Sequence, residues 1–484
     1  MKKYQKHFII ALIAGVLIYF GLPEANGLTN AGVRMLAVFI PTIYLWLTCG
    51  TGWTSLLSVT VAVMLQVAPG ASTYMTLWGN ICGAAVIPFL MVASVMEESG
   101  AFEWIVKWII SRRFIHGRPT LFMVMFTIAM IIISIFTAPQ VVAVLFFRLL
   151  YEVAQSIGYT KEDSFYKAHG LLVGWIAQIC DGVLIWGRPY VLTMVAVVAG
   201  LGFANFTAID YFKVGAIYLV LTVIVAMVVI KLFIRPDVSK FENFDDAKMR
   251  EELKQNPISK KGKIAIAGMM FILICYVLAY CSFLGPIAEY FNGITIAASV
   301  TLVCALLCVI TVDGEPVMDL NKAAAKVPWS MIIFLGAIMF YAGAVGGEEY
   351  GISICLQTLL GPVVANMPVM LAMFLGVAVA SVITNFCSNT VAGVVVCSSF
   401  VPAMLSVPGI SSAQVLAFAC AVIATCGTAV CTLSACPTMG IVYSDIGIEY
   451  KGTPKYSVAV CALLVILSCI VIIPVGTIIF ANFV

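Results

Sequence analysis

Residues 384–402 read TNFCSNTVAGVVVCSSFVP, with the polar tip Cys387-Ser388-Asn389-Thr390 set between apolar arms in a chain that is apolar almost throughout. At membrane depth a turning backbone is tolerated only where it is buried in protein or faces a wet cavity, so this pattern reads as a re-entrant hairpin at a site. The arm that follows, 391–404, is shorter than the about 20 helical residues that cross a bilayer core. Hydroxyls, a carboxamide and turn amides at such a tip suit a small cation and an anion together. A polar kink within a helix bundle is the competing reading of the same four residues.

The composition sets the class. Of 484 residues, 62% are hydrophobic and only 10% charged, which excludes a soluble globule and predicts an all-α polytopic membrane protein. The 16 cysteines fall mostly inside apolar runs and form no CxxC pair, so neither a disulfide framework nor structural zinc is expected. After a basic stretch at 1–7, residues 8–22 read as a first membrane helix and not as a cleaved leader, because the apolar run has no small-residue cleavage site. No HExxH helix or GxxxxGK loop supports enzyme chemistry, and nothing points to nucleic acid.

Spans at 8–22, 33–48, 53–67 and 80–96 return the chain to its starting side, where Lys107, Arg112, Arg113, His116 and Arg118 cluster. Lys and Arg favour the cytoplasmic side, so an N-terminus carrying Lys2, Lys3 and Lys6 is expected inside and the C-terminus outside. Two apolar arms around Thr137-Ala138-Pro139-Gln140, at 119–150, have basic residues on both flanks and form a hairpin entered from the cytoplasm. A span broken near Gly187-Arg188-Pro189 covers 164–198. A charged cytoplasmic linker, 235–263, separates a first repeat at 1–234 from a second at 264–484. The second repeat holds an externally entered hairpin at about 352–404 and a broken span at 414–442. Of 26 Lys and Arg residues, only Arg34, Arg188 and Lys213 leave the cytoplasmic side in this arrangement of about eleven transmembrane helices and two re-entrant hairpins.

A shift of 251 residues sets Trp78 on Trp329, Glu97-Glu98 on Glu348-Glu349, Gly100 on Gly351 and Thr137 on Ser388. Five crossings separate equivalent points, so the two copies are inverted. Inverted repeats with discontinuous helices are the architecture of secondary transporters, whose sites lie at the repeat interface. An ion channel, which needs a continuous pore, fits the two asymmetric hairpins less well.

Ser388-Asn389-Thr390, the arm bearing Pro402, and the turn Ala435-Cys436-Pro437-Thr438-Met439-Gly440 resemble the second half of the divalent anion:sodium symporter family. The resemblance spans essentially the whole chain and implies an elevator-type secondary carrier of dicarboxylates, tricarboxylates or sulfate in a plasma membrane, such as the bacterial inner membrane. It implies sodium as the coupling ion, no other cofactor, and a homodimer in the lipid bilayer. Carried over residue by residue, it assigns Ser388, Asn389, Thr390 and Pro437 to the anion, and Thr384, Cys387, Asn389 and Ala435 to sodium.

The first half departs from that pattern. Thr137-Ala138-Pro139 stands where the family has its first Ser-Asn-Thr, which leaves Thr137 as the polar tip residue. Arg188 enters the following turn, and a charge inside a span normally faces a cavity or a partner. The hypothesis is that its guanidinium replaces the first cation and grips the anion. Asp181, seven residues earlier, leaves two other readings open: a structural Asp181–Arg188 pair, or a proton-coupling carboxylate. A proton-coupled or exchange-type carrier of another anion is therefore the alternative function.

Overall fold

The computed structural model describes residues 2–186, 188–244, 246–280, 284–386, 388–433, 435–447 and 450–483. Nearly everything described is helix, because a backbone within lipid must satisfy its own hydrogen bonds. The chain opens with α1 (Lys2–Gly21), α2 (Asn30–Cys49) and the short α3 (Gly52–Met64). Next come α4 (Gly70–Gly79) and α5 (Ile81–Glu98), separated at Asn80, whose side chain accepts from the Gly83 N–H at 2.7 Å and caps α5. The interfacial α6 (Ala101–Ile110) leads into a hairpin of α7 (Pro119–Ser134) and α8 (Pro139–Ile157). A broken span, α9 (Ser164–Val183) with α10 (Pro189–Gly200), and α11 (Ala208–Val228) complete the first half.

The linker carries α12 (Asp246–Gln255), docked on α6 through Arg250 Nη1, which donates to the Ser111 carbonyl at 2.9 Å. Then follow α13 (Lys260–Tyr280), α14 (Pro286–Val309), a two-residue strand pair at Thr311–Val312 and Glu315–Pro316, α15 (Leu320–Ala325) and α16 (Trp329–Gly346). The second hairpin is narrower than the expected 352–404. Residues there split into a separate α17 (Ile352–Ala365) and a hairpin of α18 (Val369–Thr384) and α19 (Asn389–Leu405), because Pro368 ends one helix run and starts the next. The second broken span is α20 (Ser412–Cys426) with α21 (Pro437–Ile446), and α22 (Thr453–Leu467) and α23 (Ile473–Ile479) close the chain. Seven helical stretches among the described residues are long and apolar enough to cross a membrane. Apolar side chains such as Leu17 and Phe20 of α1 are exposed on the outside of the bundle, as a membrane helix requires.

The internal repeat is visible in the helix boundaries. α18, α19, α20 and α21 begin 250, 250, 248 and 248 residues after α7, α8, α9 and α10. The copies run in opposite directions. Glu98, the last residue of α5, pairs with Lys326, which lies just before the first residue of its counterpart α16. The far end of α16 reaches the opposite face, where the Thr29 hydroxyl donates to the Glu349 carbonyl at 2.7 Å and the Tyr350 hydroxyl to the Val67 carbonyl at 3.2 Å.

The two broken spans cross where each stops. A side chain on Gly182 would come within 2.7 Å of the Gly427 Cα, so only glycine allows this approach. Tyr190 extends the seam by donating to the Ile423 carbonyl at 2.6 Å, and the Tyr211 hydroxyl donates to the Gly182 carbonyl. Gly170 and Gly174 of α9 lie in the same way against Ile446, Met439 and Val442 of α21.

Candidate functional site

Four helix N-termini meet at one cavity. α8 begins at the first hairpin tip, α19 at the second, and α10 and α21 at the breaks of the two discontinuous spans; Pro139, Pro189, Asn389 and Pro437 all line a cavity of about 650 Å³. In none of the four does the N-cap side chain close the first turn; the caps are Ala138, Arg188, Ser388 and Cys436. At the surface the same chain caps α11 and α20 with full capping boxes, Thr207 with Asp210 and Ser411 with Gln414. Other helices, such as α16 and α18, also start without a side-chain cap; these four differ in meeting at one cavity, where an uncapped first turn leaves N–H groups and the positive end of the peptide dipoles directed at whatever stands before it. Proline as first residue in α8, α10 and α21 sets the helical φ and removes one N–H that has no partner there in any case.

The sequence-derived residues converge on this cavity. Thr137, Arg188, Ser388, Asn389, Thr390, Ala435 and Pro437 line it together with Asp181, Gln140, Gln178 and Tyr190. Thr384 lies immediately behind the second tip, and Cys387 lies outside the described residues. Glu97, Lys326, Ser330 and Thr51 also contribute to its lining.

Arg188 does not extend into the cavity as a free hand. Its side chain is 4% exposed, with Nη1 at 3.1 Å from Asp181 Oδ1 and Nη2 donating to the Ser134 carbonyl at the end of α7. The guanidinium thus ties the first hairpin arm to the broken span. Buried and hydrogen-bonded on both terminal nitrogens, it is a structural cation at the rim of the cavity.

In the second half, Thr384 Oγ1 lies 3.0 Å from Asn389 Oδ1 and 2.6 Å from the Cys426 carbonyl oxygen. A hydroxyl has one proton and cannot donate to both, so this oxygen cluster has the donor set of a small hard cation. Asn385 braces it: Nδ2 donates to the Ser381 and Thr428 carbonyls at 2.8 and 3.2 Å, while Oδ1 accepts from the Cys431 N–H at 2.7 Å. Neither Asn385 nor the Cys426 carbonyl emerges from the sequence. Asn385 stands three residues before the Ser-Asn-Thr tip, whose polarity masks its own, and a carbonyl oxygen has no residue-type signature.

The sequence pattern of citrate transporters matches residues 35–423, most of the chain and both hairpins. The chain belongs to the citrate transporter family. Membership agrees with the resemblance drawn from the Ser388 tip and makes the chain a membrane transporter of anions, not an enzyme. Among curated relatives, this citrate transporter family member is 23% identical to the arsenical pump membrane protein of Escherichia coli (strain K12) over 344 residues, 68% of this chain and 72% of that protein. The arsenical pump membrane protein of Shigella flexneri matches to the same extent. A shorter segment of 78 residues is 38% identical to the Na(+)/dicarboxylate cotransporter 3 of Homo sapiens, covering 16% of this chain and 12% of the cotransporter.

Proposed function

We propose that this protein is a sodium-coupled secondary carrier of a small oxyanion, foremost a di- or tricarboxylate, working by elevator-type alternating access. The observation that carries the reading is the convergence of four uncapped helix N-termini on one cavity. Each such end contributes up to about 2 kcal/mol toward an anion in partly buried geometry, so four together reach the roughly 4–8 kcal/mol of a millimolar-to-micromolar site. A buried guanidinium on the cargo is not required. Ser388, Asn389, Thr390, Thr137 and Pro437 would surround the anion, and Thr384, Asn389 and the Cys426 carbonyl, with Ala435 and Cys387 beside them, would hold the sodium ion.

In this reading the hairpins and broken spans, α7–α10 and α18–α21, move as one body against α1–α5 and α13–α16. The Lys- and Arg-rich face is cytoplasmic, and the cavity is the inward-facing end of the cycle. A homodimer through the outer helices would supply the fixed base. The match to a human sodium/dicarboxylate cotransporter supports sodium and carboxylate together.

Proteoliposome uptake of labelled citrate, succinate, sulfate and arsenite, with and without an inward sodium gradient, tests the proposal. The expected result is concentrative, sodium-dependent uptake of a carboxylate with saturable counterflow. Arsenite uptake alone would favour a second reading, which the arsenical pump relatives and the Cys436 thiol in the cavity wall support. Uptake driven by a proton gradient without sodium would favour the proton-coupled alternative.

A further inference from the structure

The two copies treat equivalent positions differently. Ser134 is the last residue of α7 and Thr384 the last of its counterpart α18; Arg188 is the N-cap of α10 and Cys436 the N-cap of its counterpart α21. In both copies the C-terminal ends of a hairpin arm and of a broken span bring acceptor oxygens together. Such ends carry partial negative charge and, in discontinuous membrane helices, coordinate coupling cations. In the second copy the oxygens of Thr384, Asn389 and Cys426 come together, and the hydrogen bonds there, among the described residues, involve no basic side chain. In the first copy the acceptors are the Ser134 carbonyl and the Asp181 carboxylate, and the guanidinium of Arg188 sits between them.

We infer that Arg188 is a tethered cation that permanently fills the first of two pseudo-equivalent cation positions, leaving a single dissociable cation site in the second copy. The inference rests on the sodium-coupled reading above for the second site only. The first follows from the Ser134–Arg188–Asp181 geometry itself. The consequence is a carrier that binds one coupling cation per cycle where a symmetric version of the same fold would bind two. Through its pairing with Asp181 and its bond to the Ser134 carbonyl, Arg188 gives order to the first hairpin. Arg188 acts through the position of the α7–α8 tip and is a positioning residue, with no contact to the anion required.

Two measurements test this. Sodium dependence of citrate uptake by the wild-type protein is expected to follow a Hill coefficient of about 1, since the coefficient is bounded by the number of interacting sites. In Arg188→Ala, guanidinium ion at millimolar concentration is expected to raise the thermal unfolding temperature and restore uptake, relative to matched sodium chloride and urea controls. The same addition leaves the wild type and Arg188→Lys unchanged. A wild-type Hill coefficient near 2, or equal guanidinium effects on wild type and Arg188→Ala, overturns the assignment. If Arg188→Ala does not yield folded protein, the wild-type sodium titration decides alone. Guanidinium rescue without any sodium dependence would keep the tethered cation and remove the sodium-coupled function, so the two readings fail separately.

Discussion

Thr384 is the residue on which the proposed second cation position turns, since its hydroxyl is shared between a carboxamide oxygen and a helix-end carbonyl. Thr384→Val keeps the shape and removes the oxygen. A lost hydrogen-bonding group of this kind costs about 1–3 kcal/mol, so the sodium concentration for half-maximal uptake is expected to rise about tenfold or more, with maximal uptake at saturating sodium largely kept. An unchanged sodium dependence in the uptake assay would remove Thr384 from the site. At this scale the sequence was legible wherever a polar residue stood alone in an apolar run, as with the Ser388-Asn389-Thr390 tip and Arg188. It was silent where the contributing group is main chain, as at Cys426 and Ser134. The direction of Arg188 was also beyond it: a residue type announces a charge but not whether that charge faces a cargo or a carboxylate seven positions away.

At the level of the helices, the crossing of α9 and α20 is the tightest constraint. Gly182→Ala would force a methyl to within 2.7 Å of the Gly427 backbone, which no rotamer relieves. Overpacking of this sort costs roughly 1–3 kcal/mol, and more where backbone has to move. A lower thermal unfolding temperature and loss of transport are expected. Gly343→Ala, with nothing within 4 Å of the added atom, is expected to leave both intact. Equal behaviour of the two variants would mean that the crossing relaxes freely. Helix breaks were readable from Gly187-Arg188-Pro189 and from Pro437, because proline fixes φ and tends to end the helix before it. The separate α17 and the short α4 were not, since a run without charges gives no sign of where one apolar helix yields to another. Asn80 does mark the start of the span expected at 80–96, whereas Pro368, at the joint after α17, is a single residue in a long hydrophobic run.

For the whole molecule, the inward-facing reading proposed above makes the cavity, whose lining includes Lys326, accessible from one side of the membrane only. A membrane-impermeant maleimide applied to sealed vesicles of either orientation is expected to label Cys436 from that face and not from the other, with the carried anion slowing the reaction. The label that Cys436→Ser removes identifies the site among the other thiols, and equal labelling from both faces would show a through-going channel. The inverted architecture was legible at this scale because duplication leaves a spacing, and a spacing survives even where the residues diverge. What diverged, Thr137-Ala138-Pro139 against Ser388-Asn389-Thr390, is visible as a difference in sequence and acquires meaning only when both tips are seen at one cavity. The convergence of four uncapped helix starts has a consequence for how such carriers diversify. An attraction that belongs to the peptide backbone persists through every mutation that spares the helix, so it cannot be lost one side chain at a time. Choice among cargoes then resides in the few groups around the rim, and a lineage can exchange one anion for another while the machinery that holds any of them stays in place.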